Sequence, residues 1–335
     1  MNTRENPNSA GETVPSDCLP VSVGPAGDTV QGDAPADVAQ AATQPWSQFV
    51  ETAGEKEIKA RYEAELRSLL SENVESLPGY QILLLLCPHT SLDAYDLNVV
   101  YDALSTAGRG TRDVLLILLS RGGEIEPAYQ ISKLCKMHAR DRFIVAVPRE
   151  AKSAATLLAL GADELHIGPL GQLGPIDVQL GGRPALAVKE ALHTIASISH
   201  EFPRSAKVFA EYLRRTLKVE HIGYCERISE SAVQYALRLL SGKPALGAKA
   251  EQIARDLVYA YKDHGFVIDL EEARSRLGND WIRTDTPELE FAERVYRSFH
   301  HASLFPRTRD GGPRAYMEVR GGIDAPRVML FNTGA

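Results

Sequence analysis

"DVLLILLSRGGEIEPAYQISKLCK", Asp113–Lys136, sets a purely aliphatic run against a helical pattern, with paired glycines between them. Val114 to Leu119 carry no polar interruption, which is the composition of a strand buried on both faces. Beyond the glycines, Ile125, Ala128, Ile131, Leu134 and Cys135 recur at helical spacing. A Gly-Gly pair between strand and helix makes a tight turn. It also bares the backbone, where it can hold a ligand or an oxyanion.

Outward from this stretch the same alternation repeats. "YQILLLLC" (80–87) reads as a buried strand, and "SLDAYDLNVVYDALSTAG" (91–108) as a helix with Ser91 or Asp93 to cap it and Gly108 to end it. "RFIVAVP" (142–148) and "DELHIG" (163–168) are a third and fourth strand, separated by "SAATLLALGA" (153–162), a short helix so apolar that it must be buried on most sides. Apolar strands alternating with helices imply an α/β fold, a parallel sheet flanked by helices. Residues 186 to 277 read as mostly helical, so the C-terminal half should be helix-rich.

Four regions follow from composition. Residues 1–44, rich in Pro, Gly, Ala, Ser and Thr, read as a disordered tail. Residues 45–78 read as an amphipathic helical arm lying on the body or on a partner subunit. Residues 79–303 read as the main folded domain, and 304–335, rich in Gly, Pro and Arg, as an irregular C-terminal tail. "GPLGQLGPID" (168–177) reads as an exposed loop or hairpin beside the site, able to pair with a peptide by strand addition.

Bulk properties exclude several classes. The 335 residues carry a formal net charge of −7 and no basic stripe, so no nucleic-acid partner is expected. The longest aliphatic run falls far short of the ~20 residues that a membrane span needs, so no span is expected. The first residues lack the apolar core of a signal peptide. Cys18, Cys87, Cys135 and Cys225 are far apart, with no C-x-x-C, which points to a reducing cytoplasm rather than a metal or redox site. Neither G-x-G-x-x-G nor G-x-x-x-x-G-K-[ST] occurs, and no cofactor is expected.

In a parallel sheet the ends of the second and third strands share one edge, the edge where open α/β sheets place ligands. Ser153 stands there at the start of the apolar helix, among unpaired backbone N–H groups. The Ala154 N–H can face an oxyanion on a carbonyl attacked by Ser153, and the Gly122 N–H can supply a second donor. One such donor contributes roughly 2.7–4 kcal/mol to an acyl-transfer transition state. The same Ser can instead be an ordinary N-cap, and the glycines an ordinary turn.

"LLILLSRGGEIEPAYQI", "AKSAATLLALGADELHIG" and "GQLGPIDVQ" together resemble the Clp protease and crotonase superfold. Within it the chain resembles the serine peptidases related to signal peptide peptidase A, most closely the serine dehydrogenase proteinases, over roughly residues 80 to 280. The resemblance implies Ser153 as nucleophile and an oxyanion donor from the Gly-Gly block. Many relatives have Pro where this chain has Arg121, which would make the crevice rim more positive.

The resemblance leaves the general base open, since the superfold uses either His with Asp or a downstream Lys. Lys189, on the first helix after the Gly-rich hairpin, is the favoured candidate, with burial beside Leu186 and Val188 expected to lower its pKa. Lys207, His193, His166 and Lys152 are alternatives; His166 reads as a packed core residue, and His264 as structural. Asp177 can orient a base or cap a turn. The expected function is hydrolysis of peptides or unfolded protein segments through an acyl-enzyme, by a homo-oligomer whose helices pack between subunits. The alternatives are an acyl-CoA enzyme of crotonase type and a non-catalytic assembly protein.

Overall fold

The computed structural model describes residues 44–73, 77, 79–180, 183–243, 246–303 and 315–332. The tail expected over 1–44 lies outside them, except Gln44.

Helices α1 (Trp46–Thr52) and α2 (Glu55–Glu72) precede β1 (Tyr80–Cys87). Then follow α3 (Ala94–Ala107), β2 (Asp113–Ser120), α4 (Ile125–His138), β3 (Phe143–Val147) and the short β4 (Glu150–Ala151). Next come α5 (Ala154–Leu160), β5 (Glu164–Ile167), β6 (Gln172–Leu173) and the small antiparallel pair β7 (Gln179–Leu180) and β8 (Arg183–Pro184). The helical half comprises α6 (Ala187–Glu201), α7 (Ala206–Thr216), α8 (Val219–Leu240), α9 (Ala250–Tyr259) and α10 (Leu270–Leu277). β9 (Ile282–Arg283), α11 (Pro287–Ser303), β10 (Ala315–Gly322) and β11 (Arg327–Asn332) complete the order.

The main sheet runs β11-β10-β1-β2-β3-β5-β9, with β4 and β6 continuing beside β2. β1, β2, β3, β5 and β9 are parallel neighbours, as the aliphatic runs predict. Period-two alternation divides their side chains between two cores. Leu83, Leu85, Leu116, Leu118 and Val145 face the layer of α3, α4 and α5; Leu84, Leu86, Leu115, Ile117 and Ile144 face α2 and α11. Asp93 caps α3 by accepting from the Tyr95 and Asp96 N–H groups.

The helical arm is part of this body. Tyr62 and Leu66 of α2 are fully buried in the same cluster as Ile82, Phe291 and Met317. The irregular tail expected over 304–335 is corrected in part. Residues 315–332 form a hairpin that extends the sheet antiparallel to β1. Its strand signal is masked because Glu318 and Arg320 alternate with Met317 and Val319, and both charges are buried in ion pairs. The exposed loop expected at 168–177 is also corrected. From Gly171 to Asp177 this segment is mostly buried and pairs with β4 and Ile268.

Candidate active site

β2 and β3–β4 deliver their ends to one edge of the sheet, where Ser120 pairs with Ala151. The turn that follows puts Ser153 at φ 52°, ψ −122°, a left-handed conformation costly for a residue with a side chain. The Ser153 hydroxyl makes no capping bond, so it is not serving as an N-cap. A sharp strand-to-helix turn with a strained, uncapped serine is the arrangement that exposes a nucleophile at a sheet edge. Thr156, fully buried, braces the turn: its hydroxyl donates to the Ala151 carbonyl at 2.6 Å and accepts from the Gly174 N–H at 3.0 Å.

Gly122 packs directly on this turn. It has φ 106°, and a Cβ there would lie 2.7 Å from both the Lys152 carbonyl oxygen and the Ser153 Cβ. The crevice expected between the Gly-Gly and Ser153 segments is therefore present. The Gly122 N–H, expected to face an oxyanion, is engaged within the turn. The Gly122 N–H donates to the Ser120 hydroxyl at 3.1 Å. The Gly123 and Ala154 N–H groups meet no acceptor among the described residues.

Ser153 opens into a cavity of about 820 Å³. Its walls are residues 88–91, the turn 121–126, residues 176–179, Tyr224, Ile228 and Ser231 of α8, and His264. His264 Nδ1 lies 2.7 Å from Asp177 Oδ1, and Asp177 Oδ2 accepts from Gln179 Nε2 at 2.8 Å. Asp177 is buried and the His264 side chain is 32% exposed. The hydrogen bond to Asp177 raises the His264 pKa above its ordinary 6.5, against the opposing effect of burial. With Nδ1 turned to the carboxylate, Nε2 is the nitrogen left to take up a proton.

Lys152 is buried beside Ser153 but directed elsewhere. Its ammonium donates to the Phe266 carbonyl at 3.0 Å and is 3.4 Å from that of Gly265. It ties the loop carrying His264 to the turn carrying Ser153, and burial pushes its pKa down. The same loop is fixed through Ile268, whose N–H and carbonyl both bond Leu173 of β6.

The other sequence candidates stand apart. Lys189 is 54% exposed on α6, pairs with Glu226 at 3.2 Å and does not line the cavity. His193 and Lys207 are exposed on α6 and α7. His166 is 1% exposed, held by Thr286 at 2.8 Å and Glu164 at 3.2 Å, as a core histidine should be. Arg121 pairs with Glu150 at 3.2 Å, so its charge is matched and the rim gains no unpaired cation from it. The sequence reads His264 as structural, and nothing local connects it with Ser153, 111 positions away. The available signal was a short polar segment, "YKDHG" (261–265), leaving a helix within the stretch covered by the resemblance.

A parallel sheet flanked by helices, with a serine at a strained turn on its edge, defines a ClpP-like architecture. Residues 92–292 match the family described as ClpP-like SDH-type serine proteinases, and the chain belongs to that family. Two uncharacterized proteins of Methanocaldococcus jannaschii are similar to it. One is 28% identical over 173 residues, 52% of this chain and 54% of its own length. The other is 26% identical over 201 residues, 60% of each. The chain thus spans little more than half the length of these relatives. Among solved structures it is similar to the 1510-N membrane-bound stomatin-specific protease. A lysine-to-alanine mutant of that protein with a substrate peptide is 16% identical, with a TM-score of 0.41, covering 64% of this chain and 80% of the other. A serine-to-alanine mutant is 12% identical, with a TM-score of 0.38, covering 69% and 88%. No helix among the described residues is long and apolar enough to cross a membrane.

Proposed function

We propose that this protein is a serine peptidase acting on peptides or unfolded segments through an acyl-enzyme, with Ser153 as nucleophile and His264, oriented by Asp177, as general base. The observation that carries the reading is the shared cavity. It holds a strained, uncapped Ser153 together with a His–Asp pair whose free nitrogen is Nε2. Ser153 Oγ attacks the scissile carbonyl as its proton passes to His264 Nε2. The oxyanion is received by the Gly123 and Ala154 N–H groups. As the tetrahedral adduct collapses, His264 returns the proton to the leaving amine and the ester on Ser153 remains. Water, deprotonated by the same imidazole, then releases the acid.

This reading replaces Lys189 by His264 as base and Gly122 by Gly123 as oxyanion donor. Gly122 keeps a structural part, since only a residue without Cβ fits against Ser153. The test is labelling by a fluorophosphonate probe followed by peptide mapping. Adduct on Ser153 in the wild type, lost in His264→Ala, supports the reading. Labelling undiminished in His264→Ala but lost in Lys189→Ala would return the base to the lysine. No Ser153 adduct in the wild type would remove the peptidase reading.

Assembly belongs to the same proposal. α6 and α7 bury no residue, and Phe202, Val208 and Tyr212 are 58%, 70% and 61% exposed. α8 continues from these helices into the cavity wall at Tyr224 and Ile228. A second copy of this chain covering that face would both bury the apolar side chains and narrow access to Ser153. Cys87, Cys135 and Cys225 are all free and buried, which suits a reducing compartment such as the cytoplasm.

A further inference from the structure

Leu92 pairs with the Gly-Gly turn and clamps it on both sides of Gly123. Its N–H donates to the Gly122 carbonyl at 2.9 Å, and its carbonyl accepts from the Glu124 N–H at 2.8 Å. A trans peptide points its N–H opposite to its C=O. Fixing the Gly122 carbonyl toward Leu92 therefore turns the Gly123 N–H away from Leu92, to the side where β4 and Ser153 lie. A Cβ on Gly123 would sit 2.3 Å from the Leu92 backbone, so the clamp needs glycine there.

The segment carrying Leu92 is itself anchored, and the anchor comes from the far end of the chain. Glu318 of β10 accepts from the Thr90 N–H at 2.8 Å and from the Thr90 hydroxyl at 2.6 Å. Arg320 bonds the Thr90 hydroxyl at 2.5 Å and Glu318 at 2.6 Å, and it pairs with Asp96 of α3. Glu318, Arg320 and Asp96 are at most 3% exposed. Asp96 in turn accepts from the Asp93 N–H at 2.9 Å, one residue past Leu92. Neither Glu318 nor Arg320 lines the cavity, and both lie outside residues 92–292. Removing a buried charge from water is costly, and a hairpin that only closed a sheet edge would be served by apolar side chains.

We propose that Glu318 and Arg320 of the C-terminal hairpin are positioning residues for the oxyanion site, acting through Thr90 and Leu92 to hold the Gly123 N–H toward Ser153. The proposal rests on the peptidase reading of that site. The network fixes Thr90, Thr90 fixes the course of Leu92, and Leu92 fixes the peptide plane. Displacement of a donor by about 1 Å can cost on the order of a hundredfold in rate while leaving substrate contacts in place.

The experiment uses the full chain and a fluorophosphonate probe over a range of concentrations, which separates probe binding (KI) from the rate of the Ser153 reaction (kinact). Thr90→Val removes the hydroxyl at nearly constant volume. The expected result is a kinact lower by roughly tenfold to a hundredfold with KI within about twofold, and recovery to near wild type in Thr90→Ser. Glu318→Gln, which weakens the same bonds from the other side, should reproduce the split and serves if Thr90→Val does not fold. An unchanged kinact in folded Thr90→Val or Glu318→Gln overturns the positioning role while the peptidase reading stands. A loss carried by KI, or none recovered in Thr90→Ser, overturns it too. A wild-type protein unlabelled at Ser153 removes both readings together.

Discussion

Asp177 and His264, 87 positions apart, meet at 2.7 Å between Oδ1 and Nδ1 inside the cavity that Ser153 faces. The pair fixes which nitrogen is free and raises its affinity for a proton. Its consequence for pH is direct. A base must be neutral to accept a proton, so hydrolysis should fall as pH drops through the raised His264 pKa, above 6.5. Asp177→Asn should move this acid limb downward and lower the maximal rate, read from rate–pH profiles. A limb that stays in place would detach Asp177 from the base.

The same pair makes a stability prediction of opposite sign. The folded pKa of His264 is raised over its unfolded value. The stabilisation is therefore complete below the unfolded pKa and is lost as pH rises through the folded one. The wild type should lose more stability than His264→Gln on going from pH 5 to pH 8. Denaturant unfolding at the two pH values measures it, and equal losses would count against the pair.

Ser153 should separate activity from strain. Ser153→Ala removes a hydroxyl that makes no capping bond. Probe labelling and turnover should vanish with the melting temperature close to wild type. Ser153→Gly relieves φ 52° and should melt higher, by a fraction of the roughly 1–3 kcal/mol such strain stores. Retained turnover in either variant would contradict the nucleophile assignment.

Lys152 joins the His264 loop to the Ser153 turn, and its charge opposes protonation of His264. Lys152→Met should loosen that loop and shift the acid limb upward, since a repelling cation is gone. Lys189→Ala, on an exposed helix, should leave the profile intact. A downward or absent shift in Lys152→Met would limit the lysine to packing.

Light scattering tests the exposed helices. The wild type should be a homo-oligomer at micromolar concentration, and Val208→Glu with Tyr212→Glu should reduce its mass. A wild-type monomer would remove the assembly proposal.

The sequence by itself determined the local and periodic features. The aliphatic runs at 80–87, 113–120 and 143–147 can be satisfied only as strands covered on both faces, and helices between them make the sheet parallel. The paired glycines and the small residues around Ser153 were legible because a close backbone approach tolerates little else. Tertiary structure alone decided what depends on distant segments meeting. It gave Gly122's N–H to Ser120, left Gly123's without an acceptor among the described residues, and brought His264 to Asp177. It also turned a charged C-terminal segment into two sheet strands by burying Glu318 and Arg320 against Thr90 and Asp96. Hydrophobic period records which face of an element is buried, but a hydrogen bond's partner depends on where the chain returns, and composition does not record that.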